Sequence, residues 1–321
     1  MYFLGIDSGG TKTAFVVMDE SGDIKLKLIK GTGHHAQIGF EGVKKLHLET
    51  LEEICQELGI TKDKIRYIFM GIPGYGEVKD DSIKLEKIME EVYKGIEFKL
   101  GNDVETGWAG SLACKPGINV VCGTGAIAIG IDDNFNTARS SGWGPFIGDE
   151  GSAYWIGKKG LEVFSKQADG RYNKTEFYDI FKKELNLEYD FQIIDLVHNK
   201  LNLDRTEIAK FSMLVSKIAE TGDRDAIRIF EEAAEEIYLM VKSIIKQLKL
   251  QGKIKMSYVG GVFKAGDLIL DPLKKRFKEK NYDVEISEPI LEAWEGATLY
   301  AYQLAGNEIT EEIINNIKLN R

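Results

Sequence analysis

Residues 1–22 read MYFLGIDSGGTKTAFVVMDESG, and they contain two apolar runs separated by a glycine turn. The first run, Tyr2 to Ile6, ends at Asp7-Ser8-Gly9-Gly10, and the second, Ala14 to Met18, ends at a second acidic turn. Short apolar runs bounded by glycine, serine and aspartate are typical of β-strands. With Ile24 to Ile29 as a third strand, this stretch predicts a three-stranded meander.

Helices and strands alternate after the meander. Apolar residues recur with helical spacing between Phe40 and Leu58, which predicts a helix. A strand at Ile65 to Gly71, a helix from about Ser82 to Tyr93 and a strand at Ile96 to Leu100 complete the first part of the chain. Strands alternating with helices predict the α/β class.

The same pattern begins again after residue 115. Ile118 to Cys122 is an apolar run, Gly123-Thr124-Gly125 a tight turn, and Ala126 to Ile131 a second run that ends in an acidic turn. This repetition indicates that one α/β unit has been duplicated. Since 321 residues exceed the usual size of one domain, we predict an N-terminal domain over residues 1–115. A C-terminal domain over residues 116–321 would carry a helical insertion at about 151–250, whose longest segment, Asp223 to Leu250, is predicted to be one buried or cleft-bordering helix. Strands at Met256 to Val259 and Val284 to Ile286 follow the insertion.

Composition and charge exclude several classes of protein. Hydrophobic residues make up 43% and charged residues 29%, as in globular proteins, and a net charge of −9 leaves no basic field to attract nucleic acid. The start of the chain has no basic leader, and no apolar run is long enough to cross a membrane. The three cysteines lack C-x-x-C spacing. We therefore predict a cytoplasmic protein that binds neither nucleic acid nor membrane.

Three glycine turns follow apolar strands and are candidates for phosphate binding. Glycine allows a ligand to approach the backbone closely, and consecutive N–H groups can converge on an anion. Each turn taken alone could be an ordinary hairpin turn, but their matching positions in the repeat favour one nucleotide site. The turns are Gly9-Gly10-Thr11, Gly123-Thr124-Gly125 and Gly260-Gly261.

Two common nucleotide motifs do not fit these turns. Gly123 to Ala128 matches G-x-G-x-x-A, but that motif requires a following helix, whereas Ile127, Ile129 and Ile131 alternate as in a strand. The first turn has Thr11 where a P-loop requires lysine. Neither the Rossmann nor the P-loop class is supported.

Two aspartates stand where strands end. Asp7 precedes the first glycine turn, where a carboxylate can hold Mg²⁺ beside phosphates, or can simply end the strand. Asp103 follows the strand Ile96 to Leu100 at a predicted helix start. It can be the helix N-cap or a base that accepts a proton from a hydroxyl. The spacing alone leaves both alternatives open.

The loop from Gly142 to Trp155 is rich in both glycine and tryptophan. Such a loop suits a binding cleft, with Asp149 as an acceptor for hydroxyl groups. Alternatively, it is a structural loop that caps the helix starting near Ser152. The pair His34-His35 follows the third strand. A histidine pair without a third ligand is more often a polar surface than a metal site, so a sugar contact there rests on weak evidence.

Taken together, these motifs resemble the N-acetylglucosamine kinase and BadF/BcrA-type ATPase family, within the sugar kinase, Hsp70 and actin superfamily. Asp7 to Thr13 resembles the first phosphate motif, Gly123 to Gly125 the second, and Gly260 to Phe263 the adenosine motif. The most specific match is Gly142-Trp143-Gly144 with GDEGSAYWI at 148–156.

The resemblance implies a two-domain actin-like ATPase fold, with duplicated ribonuclease H-like domains and a cleft between them. It also implies a homodimer that uses ATP and Mg²⁺ to phosphorylate an amino sugar, typically at the C6 hydroxyl. Asp103 matches the base, and Asp7 would hold the metal. The nucleotide contacts implied are Gly9, Gly10, Thr11, Lys12, Gly123, Thr124, Gly125, Gly260, Gly261 and Ala265. The substrate contacts implied are His34, His35, Asp103, Ala126, Ile127, Gly142, Trp143, Gly144 and Asp149.

Two positions depart from the family pattern. His34 stands where the family usually has an asparagine that binds sugar hydroxyls, and Ala126 replaces a commoner serine. The acceptor could therefore be N-acetylglucosamine, glucosamine, N-acetylmuramic acid or another sugar.

Two other functions compete with the kinase. One is an ATPase that activates a dehydratase or reductase, for which Cys114 and Cys122 are the candidate ligands of an iron–sulfur cluster at a dimer interface. The other is a sugar-responsive transcriptional regulator, which requires a DNA-binding module, whereas this chain is acidic and opens on the first strand of the expected fold.

Overall fold

The computed structural model describes residues 1–319 and divides the chain into two compact units. The first unit contains Met1–Pro116 and Glu288–Arg321, and the second contains Gly117–Ser287. The first boundary lies one residue from the predicted one. The chain beyond residue 287, which we assigned to the C-terminal domain, instead belongs to the first unit.

The first unit is built on a mixed five-stranded sheet with the order β3-β2-β1-β4-β5. Its first three strands form the predicted antiparallel meander, and β4 and β5 continue the sheet in parallel. The strands are β1 (Tyr2–Ser8), β2 (Thr13–Asp19), β3 (Ile24–Lys30), β4 (Ile65–Ile72) and β5 (Glu97–Asn102). Strands β1 and β2 are buried almost throughout, which explains their nearly unbroken apolar sequence.

Five helices belong to this unit. They are α1 (His35–Leu58), α2 (Lys79–Val92), α3 (Asp103–Ser111), α10 (Ala293–Leu304) and α11 (Glu311–Leu319). Helix α1 starts earlier than the apolar spacing predicts, because it includes a first turn that is interrupted at Gly39, where φ is 70°. The regular part after Gly39 agrees with the prediction.

The second unit repeats the same sheet. Its order is β10-β9-β6-β7-β8, with an antiparallel meander of β6, β7 and β8 and two parallel strands beyond β6. The strands are β6 (Gly117–Cys122), β7 (Ala126–Ile131), β8 (Thr137–Ser141), β9 (Ile254–Val259) and β10 (Val284–Ser287). The predicted duplication is therefore present in the topology. Strand β8 was not predicted, because its sequence, TARSS, carries no apolar run.

Helices fill the chain between β8 and β9, as predicted for about 151–250. They are α4 (Ala153–Ala168), α5 (Glu176–Glu184), α6 (Gln192–Asp195), α7 (Arg205–Glu220) and α8 (Arg224–Leu248). A helix α9 (Asp267–Glu279) connects β9 to β10. Helix α8 presents one continuous buried face, and its residues Ile237, Val241 and Ile244 are fully covered, which agrees with the buried helix predicted there.

Close backbone contacts at glycine residues pack helix α10 against β1 and α3 within the first unit. A Cβ on Gly5 in β1 would overlap the backbone of Thr298 in α10, and a Cβ on Gly296 would overlap the backbone of Gly110 in α3. Leu291 also donates its amide to the carbonyl of Gly110 at 3.0 Å. These contacts join residues that are far apart in the sequence, so the periodicity of either segment could not reveal them. Within residues 1–319, no helix has the length and apolarity needed to cross a membrane.

Candidate functional site

The first glycine turn is closed by its own backbone and held by the loop after β3. The amide of Gly9 donates to the carbonyl of Lys12 at 2.8 Å. The Thr32 hydroxyl donates to the carbonyl of Gly9 at 3.1 Å, and the Gln37 side-chain amide donates to the carbonyl of Gly10 at 3.0 Å. Neither Thr32 nor Gln37 was predicted, because neither belongs to a motif. The turn itself, with Thr11 and Lys12, remains exposed.

Asp7 lies at the end of β1 beside this turn. Its Oδ1 atom accepts a hydrogen bond from the Thr106 hydroxyl at 2.5 Å. Burial raises the pKa of Asp7, and the Thr106 hydrogen bond and the Lys12 charge lower it to a smaller extent. Mg²⁺ is commonly held by one or two protein carboxylates and by substrate phosphates and waters. One buried carboxylate next to an exposed glycine turn fits that set of ligands.

Asp103 is the first residue of helix α3, and the cap of that helix is Asn102. The Asn102 side chain accepts the amide of Val104 at 3.3 Å, while Glu105 accepts the amide of Asn102 at 3.0 Å. The Asn102 side chain also accepts the amide of Glu105, and this bond and the one from the Asn102 amide to Glu105 form a capping box. The N-cap alternative for Asp103 is therefore wrong, since its neighbour fills that position.

Thr106 connects the two aspartates. Besides Asp7, its hydroxyl lies 2.6 Å from the main-chain carbonyl of Asp103. The site is tightly packed here, because a Cβ on Gly71 would overlap the Thr106 methyl group. The Thr106 hydroxyl thus lies between the Asp7 carboxylate at the end of β1 and the backbone of Asp103 at the start of α3, an arrangement that was not predicted.

His34 and His35 lie at the start of α1. The Nδ1 atom of His34 accepts the amide of Ala36 at 3.2 Å, which makes His34 the N-cap of the helix. Partial burial and the neighbouring His35 lower the pKa of His34, so the neutral ring is favoured at pH 7. With Nδ1 used as an acceptor, Nε2 carries the proton and can only donate. His35 stacks on Phe40 and lies 3.5 Å from a carboxylate oxygen of Asp81.

The second and third glycine turns meet within the second unit. The amide of Gly123 donates to the carbonyl of Gly125 at 2.9 Å, which closes the second turn. At the third turn, Gly260 has a φ of 112°, and a Cβ there would overlap the carbonyl of Cys122. Only glycine allows this approach. The prediction that these two turns lie together is supported by this contact.

A cavity of about 580 Å³ opens beside these turns. Its lining includes Gly123 and Thr124 of the second turn together with Gly261 and Ala265 of the third segment. Its other walls are largely apolar and come from helices of the insertion and from the segment after β9, among them Ile156, Ala209, Met213, Phe230 and Val262. The size and apolar walls suit a nucleobase and its ribose. The helical residues of this lining were not predicted, because an apolar helix face has the same sequence pattern whether it lines a cavity or packs in a core.

Asp149 is buried, with 2% of its surface exposed. Its Oδ1 lies 3.4 Å from the amide of Ala126, and its Oδ2 lies 2.6 Å from a guanidinium nitrogen of Arg205. Ala126 is buried at the start of β7, and Ile127 beside it is partly exposed. The role of Asp149 as an acceptor for sugar hydroxyls stays a prediction.

The loop after β8 exposes its apolar residues. Trp143 is 71%, Ile147 73% and Phe146 fully exposed. Gly142 adopts a φ of 76° and its carbonyl accepts a hydrogen bond from Arg139 at 2.7 Å, while Gly144 has a φ of 83°. The predicted contact of this loop with a sugar is not tested by this arrangement.

Both cysteines considered for a metal cluster are buried. Cys114 and Cys122 expose 2% and 0% of their surface. Burial raises the pKa of both thiols, and for Cys122 the charge of Asp149 adds to the effect. Iron–sulfur ligation requires thiolates that can reach the cluster. The positions of these two residues therefore give the activator function no support. Over residues 1–319, no group of three or more histidine, cysteine or acidic side chains is arranged to hold a metal ion.

The sequence and fold were compared with known proteins. The pattern of the BadF/BadG/BcrA/BcrD ATPase family matches residues 4–301. An N-acetylmuramic acid/N-acetylglucosamine kinase of Clostridium acetobutylicum is 32% identical over 282 residues, which cover 88% of this chain and 91% of that protein. An N-acetyl-D-glucosamine kinase of Dictyostelium discoideum is 28% identical, over 93% of this chain and 97% of that protein.

A solved structure shares the fold. The crystal structure of a candidate N-acetylglucosamine kinase from Chromobacterium violaceum superposes with a TM-score of 0.68 at 22% identity, and covers 93% of this chain and 98% of that one. The predicted actin-like ATPase fold is thereby confirmed.

Proposed function

The chain belongs to the BadF/BadG/BcrA/BcrD ATPase family, and on that premise we propose that it is an ATP-dependent amino sugar kinase. Two relatives that match over most of their length are described as kinases of N-acetylglucosamine, one of them also of N-acetylmuramic acid. We assign the same class of acceptor to this chain. Its cytoplasmic location and its homodimeric state remain predictions.

The nucleotide is assigned to the glycine turns and the cavity. Adenosine would occupy the cavity lined by Gly261 and Ala265, next to the second turn. The phosphates would then contact backbone amides and hydroxyl groups of the turns, as neutral donors suffice to hold an anion in an acidic protein. Thr124, which lines the cavity, is the hydroxyl expected to contact a phosphate there.

Asp103 is assigned as the base. Its carboxylate would take the proton from an acceptor hydroxyl, typically the one on C6, while that oxygen attacks the γ-phosphorus and ADP leaves. Asp7 would hold Mg²⁺ next to the phosphates, and the ion would neutralise part of their charge. The observation that carries this assignment is the Thr106 hydroxyl, which lies 2.5 Å from Asp7 and 2.6 Å from the carbonyl of Asp103.

The sugar is assigned to the loop of His34. A donor at Nε2 would favour an acceptor group on the sugar, such as a hydroxyl oxygen or an acetamido carbonyl. An asparagine, by contrast, can both donate and accept. A panel of amino and acetamido sugars, assayed by ADP release, would identify the acceptor. We expect phosphorylation of N-acetylglucosamine or N-acetylmuramic acid.

Substitution of the base tests the proposal directly. We expect Asp103→Asn to lower kcat by about a thousandfold or more, since general base catalysis contributes about 10²- to 10⁴-fold, and to leave the dissociation constant for ATP nearly unchanged. Asp80→Asn is the matched control, because Asp80 is also an acidic residue in the first turn of a helix of the same unit. Sugar phosphorylation at the parental rate by Asp103→Asn would contradict the assignment.

A further inference from the structure

Arg205 is a cation that no motif in the sequence singles out. It is the first residue of helix α7, and its Nη2 atom lies 2.6 Å from Oδ2 of Asp149. The carboxylate is almost completely buried, whereas the arginine side chain is 39% exposed. One end of this ion pair therefore faces the protein and the other reaches solvent.

Both partners of the pair are held by their backbones. Asp149 has a φ of 63°, and its carbonyl accepts the amide of Ser152 at 3.1 Å, just before helix α4. Asp204 caps helix α7 by accepting the amides of Thr206 and Glu207 at 2.8 and 2.9 Å. The position of the guanidinium is thus set by two helix starts, not by a flexible surface contact.

The guanidinium lies directly against the second glycine turn. A Cβ on Gly125 would overlap the Nη2 atom of Arg205. The absence of a side chain at position 125 is therefore what allows the cation to reach the turn. Thr206, the next residue of α7, lines the same cavity as Gly123 and Thr124, so the start of α7 borders both the second turn and the cavity.

Arg205 retains capacity to donate hydrogen bonds. A guanidinium has five N–H groups in a planar fork that matches phosphate oxygens. Its Nε is buried and has no hydrogen-bond partner in the described part of the chain. Lys210 and Lys217 of the cavity are paired with Glu207 at 2.5 Å and with Glu184 at 2.7 Å, and Lys264 lines it from the segment after β9. Arg205 is the cation that lies against the second turn itself.

We propose that Arg205 contacts the phosphate chain of the nucleotide at the second glycine turn, and that Asp149 is the positioning residue that orients it. The inference rests on the proposed nucleotide site. In this arrangement Arg205 adds a positive charge to a turn whose own residues offer only neutral hydrogen-bond donors. It also gives the buried carboxylate of Asp149 a role in orienting this cation. An anionic group on the sugar is the competing occupant, and the experiment separates the two.

Binding of adenosine, ADP and ATP would be measured by calorimetry on the intact protein and on the variants Arg205→Gln, Arg205→Lys and Asp149→Asn. We expect Arg205→Gln to weaken ADP and ATP by about tenfold or more and to leave adenosine unchanged, because charge-assisted bonds to phosphate are the strong ones. Arg205→Lys should recover part of the loss, and Asp149→Asn should shift the same ratio by a smaller factor. Arg171→Gln is the matched control, since Arg171 pairs with Asp169 at the exposed end of α4.

Three outcomes would overturn the inference. One is an equal weakening of adenosine and ATP, which would indicate a purely structural pair. Another is unchanged affinity for all three ligands in Arg205→Gln. The third is unchanged nucleotide binding with a raised KM only for a sugar that bears a carboxylate, which would assign the cation to the acceptor. In all three cases sugar phosphorylation by the unmodified protein would still stand, whereas its failure would refute the proposed function instead.

Discussion

The two units share one sheet topology but carry different chemistry. In both, a three-stranded meander is extended by two parallel strands on the same side, with the order 3-2-1-4-5 within each unit. The first unit places two linked aspartates, Asp7 and Asp103, at the end of its sheet. The second unit places an apolar cavity and one buried ion pair at the corresponding glycine turn. The shared strand order therefore fixes where a turn lies but leaves its chemistry to the residues around it.

The chain between strands accounts for the difference. In the first unit one α-helix, α1, and a short 3-10 helix at Lys62–Lys64 separate the meander from β4, and the start of α1 supplies Gln37 to the first turn. In the second unit five α-helices occupy the same place between β8 and β9, and three of them, α4, α7 and α8, line the cavity. The two copies of one unit thus carry different residues at their glycine turns, because the chain inserted between the strands differs.

The largest predicted effect concerns packing of the first unit. Gly296→Ala should lower the free energy of unfolding by about 3 kcal/mol, because the added methyl group overlaps the backbone of Gly110, and overpacking of this kind outweighs the gain in helix propensity. Urea unfolding would measure it, and hydrogen exchange should show the first unit opening before the second.

Gly31→Ala is the control for this substitution, since no atom lies within 4 Å of a Cβ at that position. Its effect should stay within about 0.5 kcal/mol. Equal destabilisation by both variants, or equal loosening of both units, would contradict the packing difference.

The second prediction concerns the linked aspartates. Thr106→Val keeps the methyl group that packs on Gly71 but removes the hydroxyl shared by Asp7 and Asp103. We expect kcat for sugar phosphorylation to fall by about 10- to 100-fold, the value of a hydrogen bond to a charged group. The affinity for adenosine should not change, because that ligand is assigned to the second unit.

Thr106→Ser retains the hydroxyl and should restore most of the rate. A comparable loss in both variants would indicate that any change in the packing of Thr106 lowers the rate, and would contradict a specific role for the hydroxyl. A change in adenosine affinity would contradict the division of roles between the units.

The smallest effect is the acid sensitivity of the first unit. His47 is completely buried, its Nδ1 lies 2.8 Å from the Tyr93 hydroxyl, and burial lowers its pKa from 6.5 to about 3. Between these values the unfolded chain binds a proton that the folded state does not. Stability therefore falls as the pH drops below about 6.5. From pH 7.5 to 5.5 this group should lower the free energy of unfolding by about 1.4 kcal/mol.

His47→Gln keeps a hydrogen-bonding side chain and removes the titration. The stability of the parent protein relative to this variant, measured by urea unfolding at several pH values, should decrease with acidification. A constant difference across this range would contradict the prediction. Hydrogen exchange at pH 5.5 should locate the weakening in the first unit, which contains three of the four histidines.

Much of the fold followed from local sequence. Apolar runs ended by glycine and aspartate located nine of the ten strands, all except β8, to within a few residues. The long helix predicted over Asp223 to Leu250 is present as α8. The return of the last helices to the first unit was not predicted, because the contact of Gly296 with Gly110 depends on backbones that meet only in the folded chain.

For the site, the sequence indicated the type of each group but not its partner. Asp7, Asp103 and the glycine turns stand out because a strand ends at or shortly before each of them. Thr106 and Arg205 do not, since a threonine or an arginine in the first turn of a helix is ordinary in any sequence.

The sequence by itself determined the duplicated α/β pattern, the places of the three glycine turns and the carboxylates that follow strands, because strand and turn preferences act between near neighbours. The tertiary structure decided three other things. It made Asn102 the cap of α3 where Asp103 was a candidate, it joined two aspartates through one hydroxyl, and it buried Asp149 against Arg205. Each of these depends on distances between elements, and such distances are set by packing and not by periodicity.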